Sequence, residues 1–465
     1  DPMVAGRLAV GSWSHYPGAT GTNLRATDNP RVFEHTVVRT NNSIPRGAAA
    51  GEPGKWLIKE KNAGVSLLTT HGGVEDVTLS GVATLGATHG VLRLWGAEGV
   101  NILDCRFVPP EGRWISMSSD GFHGRAREAV WIENVTIRGV CEDVINVYAT
   151  SMCVLVDDDP SDRTVTIGNL VRRDSTGGFR TSPVSEQSVR VGDRLVFIDP
   201  GAGKVLGRVR VASSLGAGRY VLVAPVTGLR SWEPDLGGRN VMVYNESSAA
   251  AMVIRDSEIL DSMRFGAFIK ARDCMIFHTT FSGLSGPAIQ AANEPAWTEG
   301  PFPQNLSLQD NSFIENAYGY SSRHRAYLSV DPAAVSIYMR RLGEGGIASG
   351  ELAANNIRIV DNRFQGWRGM AIAVRNTRNL TIRGNRFEAP VEDEVVRRTL
   401  ADDPCLGGRY AAIFLDSCDG VRLDENQFGV LPDGDLPLAL GEHLHNLDAE
   451  TGDQAVTVGH AGTAK

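Results

Sequence analysis

The feature that most constrains this chain is a short pattern, apolar-x-Ile/Leu-x-x-Asn-x-Phe, that recurs in its second half. It runs from Leu306 to Phe313, Ile357 to Phe364, Leu380 to Phe387 and Val421 to Phe428. Asn311, Asn362, Asn385 and Asn426 each stand two residues before a Phe. Looser alternating segments precede them: Val77-Thr78-Leu79, Val100-Asn101-Ile102-Leu103, Val130-Trp131-Ile132 and Met252-Val253-Ile254. Several neighbouring units lie about 20 to 25 residues apart, the length of one solenoid coil. A single coil cannot bury its apolar side, but stacked coils build a continuous core. Asparagines at equivalent turns can then form a hydrogen-bonded ladder while the Phe rings stack inside, so these residues read as structural. The implied fold is all-β, a right-handed parallel β-helix.

The repeat stops between about Thr150 and Asn245 and then resumes. Arg163 to Ile167, Asp193 to Ile198, Val205 to Val211 and Arg219 to Val223 alternate over short lengths. Asp157-Asp158-Asp159-Pro160 and Pro200-Gly201-Ala202-Gly203 punctuate them as turns. Short strands at this spacing predict a small antiparallel β-barrel inserted into the solenoid. The expected organisation is an N-terminal segment and first coils over 1–150, the barrel over 151–245, the main β-helix over 246–430, and a polar tail over 431–465. A short helix is expected within 319–350.

Composition narrows the partners. Asp plus Glu is 54 against 46 Lys plus Arg, a formal net charge of -8, which disfavours a nucleic-acid polyanion and suits a neutral sugar. Cys105, Cys141, Cys153, Cys274, Cys405 and Cys418 form no Cys-x-x-Cys pair and no zinc-like cluster, so they read as small buried hydrophobes. No metal and no cofactor is called for. No apolar run reaches the roughly eighteen residues of a membrane span. The chain opens Asp1-Pro2-Met3, which reads as a trimmed start. A secreted or periplasmic protein whose signal peptide has been removed is therefore expected. A homo-oligomer is left open.

Chemistry points to one pair of segments. Ser118-Ser119-Asp120-Gly121-Phe122-His123 is followed by Cys141-Glu142-Asp143-Val144-Ile145-Asn146, and Asp120 stands 22 residues before Glu142, about one coil. Stacked strands are about 4.8 Å apart, so the two segments become neighbours on one face. Glu142 and Asp143 share that face only at a bend or bulge. Three carboxyls this close repel, which raises at least one pKa and sets a protonated acid beside ionised bases, the requirement of glycoside hydrolysis. Crowding makes Glu142 the expected holder of the proton, across a gap of about 6.5 to 9.5 Å from the base. His123 can orient a carboxylate or a sugar hydroxyl, Trp297 can stack on a sugar face, and Glu299 can accept from sugar hydroxyls. Arg264 and Lys270 are candidates for the same groove, as is Asn146.

These segments resemble a known family. The run from Gly112-Arg113 through Ser119-Asp120-Gly121-x-His123, Ile132-Glu133-Asn134 and Glu142-Asp143-x-Ile145-Asn146 is similar to glycoside hydrolase family 110. Gly192-Asp193-Arg194-Leu195-x-Phe197 resembles the start of that family's inserted barrel. Arg264-Phe265-Gly266-Ala267-Phe268 resembles its arginine-bearing coil, and Trp297-Thr298-Glu299-Gly300 its Trp-x-Glu signature. The likeness covers roughly 54–316. It implies an exo-acting, inverting, metal-independent α-1,3-galactosidase whose partner is an oligosaccharide or polysaccharide ending in α-galactose. It further implies Glu142 as general acid, with Asp120 and Asp143 activating water. Two departures stand out: Glu142 replaces an Asp, and Tyr148 stands where a His is expected. The same acidic pattern is more remotely similar to the polygalacturonases. The alternatives are a β-helical polysaccharide lyase or epimerase, which would need a Lys/Arg base and usually calcium, and a non-catalytic glycan-binding β-helix.

Overall fold

The computed structural model describes residues 23–26, 33–36, 66–70, 74–84, 90–111, 115–148, 152–172, 179–183, 189–233, 240–295, 299–319, 331–342, 346–401, 406–449 and 458–459. The chain divides into two units, Asp1–Ile58 and Lys59–Lys465. In the first, Asn23–Ala26 and Phe33–Thr36 pair antiparallel. Everything below concerns the second.

That unit is a parallel β-helix whose coils contribute to three ladders. The first ladder stacks the start of Leu92–Leu103, the start of Phe122–Glu133, Ile145–Tyr148, Ala267–Lys270, Ile289–Ala291 and Ala333–Ile337 in parallel register. The second stacks Asp76–Ser80, the latter halves of Leu92–Leu103 and Phe122–Glu133, then Ala251–Arg255, Arg272–Phe277, Gln304–Gln309 and Ala354–Val360. The third is a separate nine-stranded sheet of very short strands, from Ala83–Thr84 to Gln427–Phe428. Side chains alternate along each strand, so the inward set (Val100, Ile102, Val130, Ile132, Ile254, Ile276, Leu308, Ile359) merges into one core. The repeat Phe residues stack in it as Phe281, Phe313, Phe364, Phe387 and Phe428, with centroids 4.8–5.5 Å apart.

The barrel interrupts one coil between its first strand, Ile145–Tyr148, and its second, Ala251–Arg255. Met152–Asp159 pairs antiparallel with both Thr164–Arg172 and Met242–Asn245, which closes the sheet on itself. Leu155, Ile167, Leu195, Phe197, Tyr220 and Leu222 fill its interior. The opposite faces of two of its strands, through Val196, Ile198, Met242 and Tyr244, pack against Phe302 and Met339 of the β-helix loops. A buried ion pair, Arg127 to Asp193 at 2.9 Å, ties a helix strand to the barrel, and Asn245 donates to the same carboxylate at 2.7 Å.

One local expectation is corrected. In place of a polar tail from 431, Leu436–Leu440 and His445–Ala449 continue the first and second ladders, because Leu436, Leu438 and Leu440 alternate inward at 2–7 % exposure. The part of 319–350 where a short helix is expected lies largely outside the described residues, and the described part carries the wholly buried strand Ala333–Ile337. A described α-helix lies at Glu394–Ala401, where Val396 and Leu400, four residues apart, are buried together. The five described cysteines are buried and form no disulfide, and Cys405 lies outside the described residues.

Candidate active site

The turn leading into the first ladder carries the acidic residues. Asp120 precedes the strand that begins at Phe122, and Glu142 and Asp143 precede Ile145 on the next coil, with Ile145 in register with Phe122. Arg264 precedes Ala267 on the coil after that. The backbone N–H of Asp143 donates to Asp120 Oδ1 at 3.3 Å, and Gly121 N–H donates to the Asp143 carbonyl at 3.0 Å. A side chain at Gly121 would run into the carbonyl of Val144, so glycine is what lets the coils close here.

Asp120, Glu142 and Asp143 are all buried, at 6 %, 7 % and 2 % exposure. The side chains of Asp120 and Glu142 are hydrogen-bonded to each other, which two carboxyls manage only by holding a proton between them. Burial, then the Glu142 charge, lifts Asp120 from an ordinary 3.8 to about 8. The two carboxyls titrate as a couple. Asp143 is held separately. Arg264 Nε lies 3.2 Å from its Oδ1, and Asn146 Nδ2 donates to its Oδ2 at 3.1 Å. Burial lifts Asp143 also to about 8, against the pull of Arg264.

A second cluster lies on the outward face of the same ladder. Lys270 Nζ donates to Asn146 Oδ1 at 3.0 Å, to Glu294 Oε2 at 3.3 Å and to Glu299 Oε2, and it sits 3.6 Å from the centre of the Phe268 ring. It is fully buried at 0 % exposure. Lys270 therefore positions Asn146 and Glu299 and does not itself meet a ligand, unlike the groove contact expected from sequence. Burial alone would raise Glu299, but Lys270 and then His123 override it and hold it down at about 2. His123 bridges the clusters, with Nδ1 3.6 Å from Asp120 Oδ2 and Nε2 3.6 Å from Glu299 Oε1. Arg93 contacts His123 Nδ1 and donates to Ser119 Oγ at 2.9 Å. A guanidinium can only donate, so Nδ1 accepts and the ring hydrogen faces Glu299.

Sequence reasoning missed Arg93, Glu294 and Arg340. Arg340 pairs with Glu294 at 3.1 Å, and Glu294 meets Glu299 through two backbone hydrogen bonds of 2.7 and 3.1 Å. Arg93 had a findable signal, since it is the register partner of His123 one coil earlier. Trp297, with Gly112 and Arg113, lies outside the described residues. The ensemble places five carboxyls (Asp120, Glu142, Asp143, Glu294, Glu299) against four cations (Arg93, Arg264, Lys270, Arg340). Among the described residues, no group of three or more His, Cys, Asp or Glu side chains is arranged to hold a metal ion. No described helix is long and apolar enough to cross a membrane.

Neither a family model nor a curated protein matches the chain. Among solved structures it is similar to PfbA, a surface adhesin of Streptococcus pneumoniae, at 10 % identity and a TM-score of 0.35, covering 84 % of this chain and 74 % of that one. It is also similar to the tailspike gp61 of Pseudomonas phage phi297, at 12 % identity and a TM-score of 0.20, covering 83 % and 73 %. Both are too distant to inform the chemistry of the site.

Proposed function

We propose that the turn cluster is the active site of an exo-acting glycoside hydrolase, which removes a terminal α-linked galactose from an oligosaccharide or polysaccharide with inversion, in a secreted or periplasmic setting. The observation that carries the reading is the buried Asp120–Glu142 couple beside a third carboxyl, Asp143, kept apart by Arg264. The couple supplies the proton to the glycosidic oxygen as the bond to the anomeric carbon breaks. Asp143, once ionised, accepts a proton from the attacking water, whose oxygen forms the new bond on the opposite face, so turnover should rise with pH as Asp143 ionises. Glu299, fixed and ionised by Lys270, and His123 are the groups for sugar hydroxyls. The choice of galactose and of the α-1,3 linkage rests on the ordered motifs shared with glycoside hydrolase family 110. In a lyase Lys270 would be the candidate base, and its ammonium is engaged by three acceptors.

Proton NMR during hydrolysis of an α-1,3-galactosyl oligosaccharide tests this. The β-anomer of galactose should appear first and then mutarotate. Release of the α-anomer first would contradict inversion, and no galactose release from any α-galactoside would end the proposal.

A further inference from the structure

The outward positions of the first ladder form a row in which exposure rises steadily. In register across consecutive coils stand Lys270, Tyr148, Arg125 and Trp95. Lys270 is 0 % exposed, Tyr148 8 %, Arg125 half-buried and Trp95 39 %. The parallel row Phe268, Asn146, His123 runs the same way, from 1 % and 4 % to a half-buried imidazole. The site is therefore closed on the side of the later coils and opens toward the earlier ones, with Trp95 at its mouth.

Trp95 is built to present its ring. It lies where the strand register shifts, just before Gly96 at φ 103°, and such a bulge turns the flanking side chain outward. Its ring stands edge-on to His123 at 6.4 Å, and His123 is 3.6 Å from Asp120, so the platform begins one side chain from the acids. The Arg125 guanidinium lies 5.8 Å from the Trp95 ring centre, and among the described residues no carboxylate pairs with it. Its buried Nε has no hydrogen-bond partner. An exposed indole beside a half-buried guanidinium matches a pyranose, which offers an apolar face of C–H groups and a rim of oxygen acceptors.

We infer that Trp95 and Arg125 form a subsite for the glycan on the leaving side of the cleaved bond, Trp95 stacking on its sugar ring and Arg125 donating to its oxygens. This deepens the hydrolase reading and rests on it for which side of the bond is meant. The substrate class becomes an α-galactose-terminated oligosaccharide, with the galactose in the closed end and the remainder running over Trp95. Binding energy from that remainder is then available to seat the galactose against the acids.

The test is calorimetric titration of the full chain, carrying Asp120→Asn to prevent turnover, with an α-galactose-terminated trisaccharide and with galactose. The trisaccharide should bind more tightly. Adding Trp95→Ala should weaken it about tenfold, at least fivefold more than galactose, and Trp95→Phe should recover most of that loss. An exposed ring can be removed without unfolding, and melting curves of each variant check this. A trisaccharide that binds no tighter than galactose, or that ignores Trp95→Ala, overturns the subsite. Because binding is read without turnover, the two claims separate. A Trp95-dependent trisaccharide in a chain that releases no galactose sinks the hydrolase and keeps the subsite, and galactose release with no Trp95 dependence does the reverse.

Discussion

Two turns of the same coil show how one geometry serves opposite ends. Between the second and third ladders, polar side chains stack with every bond satisfied. The backbone N–H of Asn311 donates to Asn362 Oδ1 at 2.9 Å, Asn362 to Asn385 at 3.0 Å and Asn385 to Asn426 at 3.1 Å. Each side-chain amide donates in turn to a carbonyl of the preceding coil at 2.8–2.9 Å. Between the third and first ladders, stacking brings charges together: Asp120 over Asp143 and Glu142, and those over Arg264. The first turn repeats one neutral residue that carries both donor and acceptor, so it can be extended indefinitely. The second differs on every coil and is balanced only as a set. Uniform stacking builds stability, and its local breakdown builds a site.

That contrast predicts separable consequences. The largest is on rate. Asp143→Asn should lower kcat by about a thousandfold, roughly 4 kcal/mol of barrier, while leaving the denaturation midpoint at least unchanged. A loss of folding instead would make Asp143 part of the scaffold. Next is the ladder. Asn362→Ala leaves the Asn311 N–H buried without its side-chain acceptor and removes the amide that ties Leu308 and Val360, and should destabilise the chain by about 2 kcal/mol in urea titration. Specific activity of the folded fraction should hold, and a rate effect matching that of Asp143→Asn would erase the distinction between the turns. The smallest effect is a pH-dependent stabilisation. Asp120 keeps, when folded, a proton that the unfolded chain loses above about 3.8, so it costs stability progressively from about pH 4 to about pH 8. Asp120→Asn removes that cost while still donating to Glu142. Its melting temperature should match the parent at pH 4 and exceed it by about 1–3 °C at pH 8.

Much of the scaffold was legible because the ladder writes itself into the chain. Asn-x-Phe recurs since only Asn completes the turn, and the left-handed residue before it, Asp310 at φ 52° or Asp361 at φ 56°, is an Asp for its tolerance of that conformation. The coil at 436–449 lacks Asn-x-Phe, so only the Leu436, Leu438, Leu440 alternation announced it, and the polar run beyond hid that. The acidic turn was legible from one 22-residue spacing. Its partners were not, because Glu294 and Arg340 come from loops outside the repeat, whose spacing carries no register. Nor could spacing show that Lys270 is buried or that the proton is shared, since both depend on which side chains cover the site.

The central claim is that the Asp120–Glu142 couple is the acid of a hydrolytic site. It is tested most directly by comparing Glu142→Gln with the parent on two substrates, an α-galactosyl oligosaccharide and an activated nitrophenyl α-galactoside. The oligosaccharide needs its leaving oxygen protonated, so its kcat/KM should fall about a hundredfold or more. The nitrophenolate leaves without that help, so its loss should be at least tenfold smaller. Equal losses on the two substrates, or undiminished oligosaccharide hydrolysis, would contradict the account.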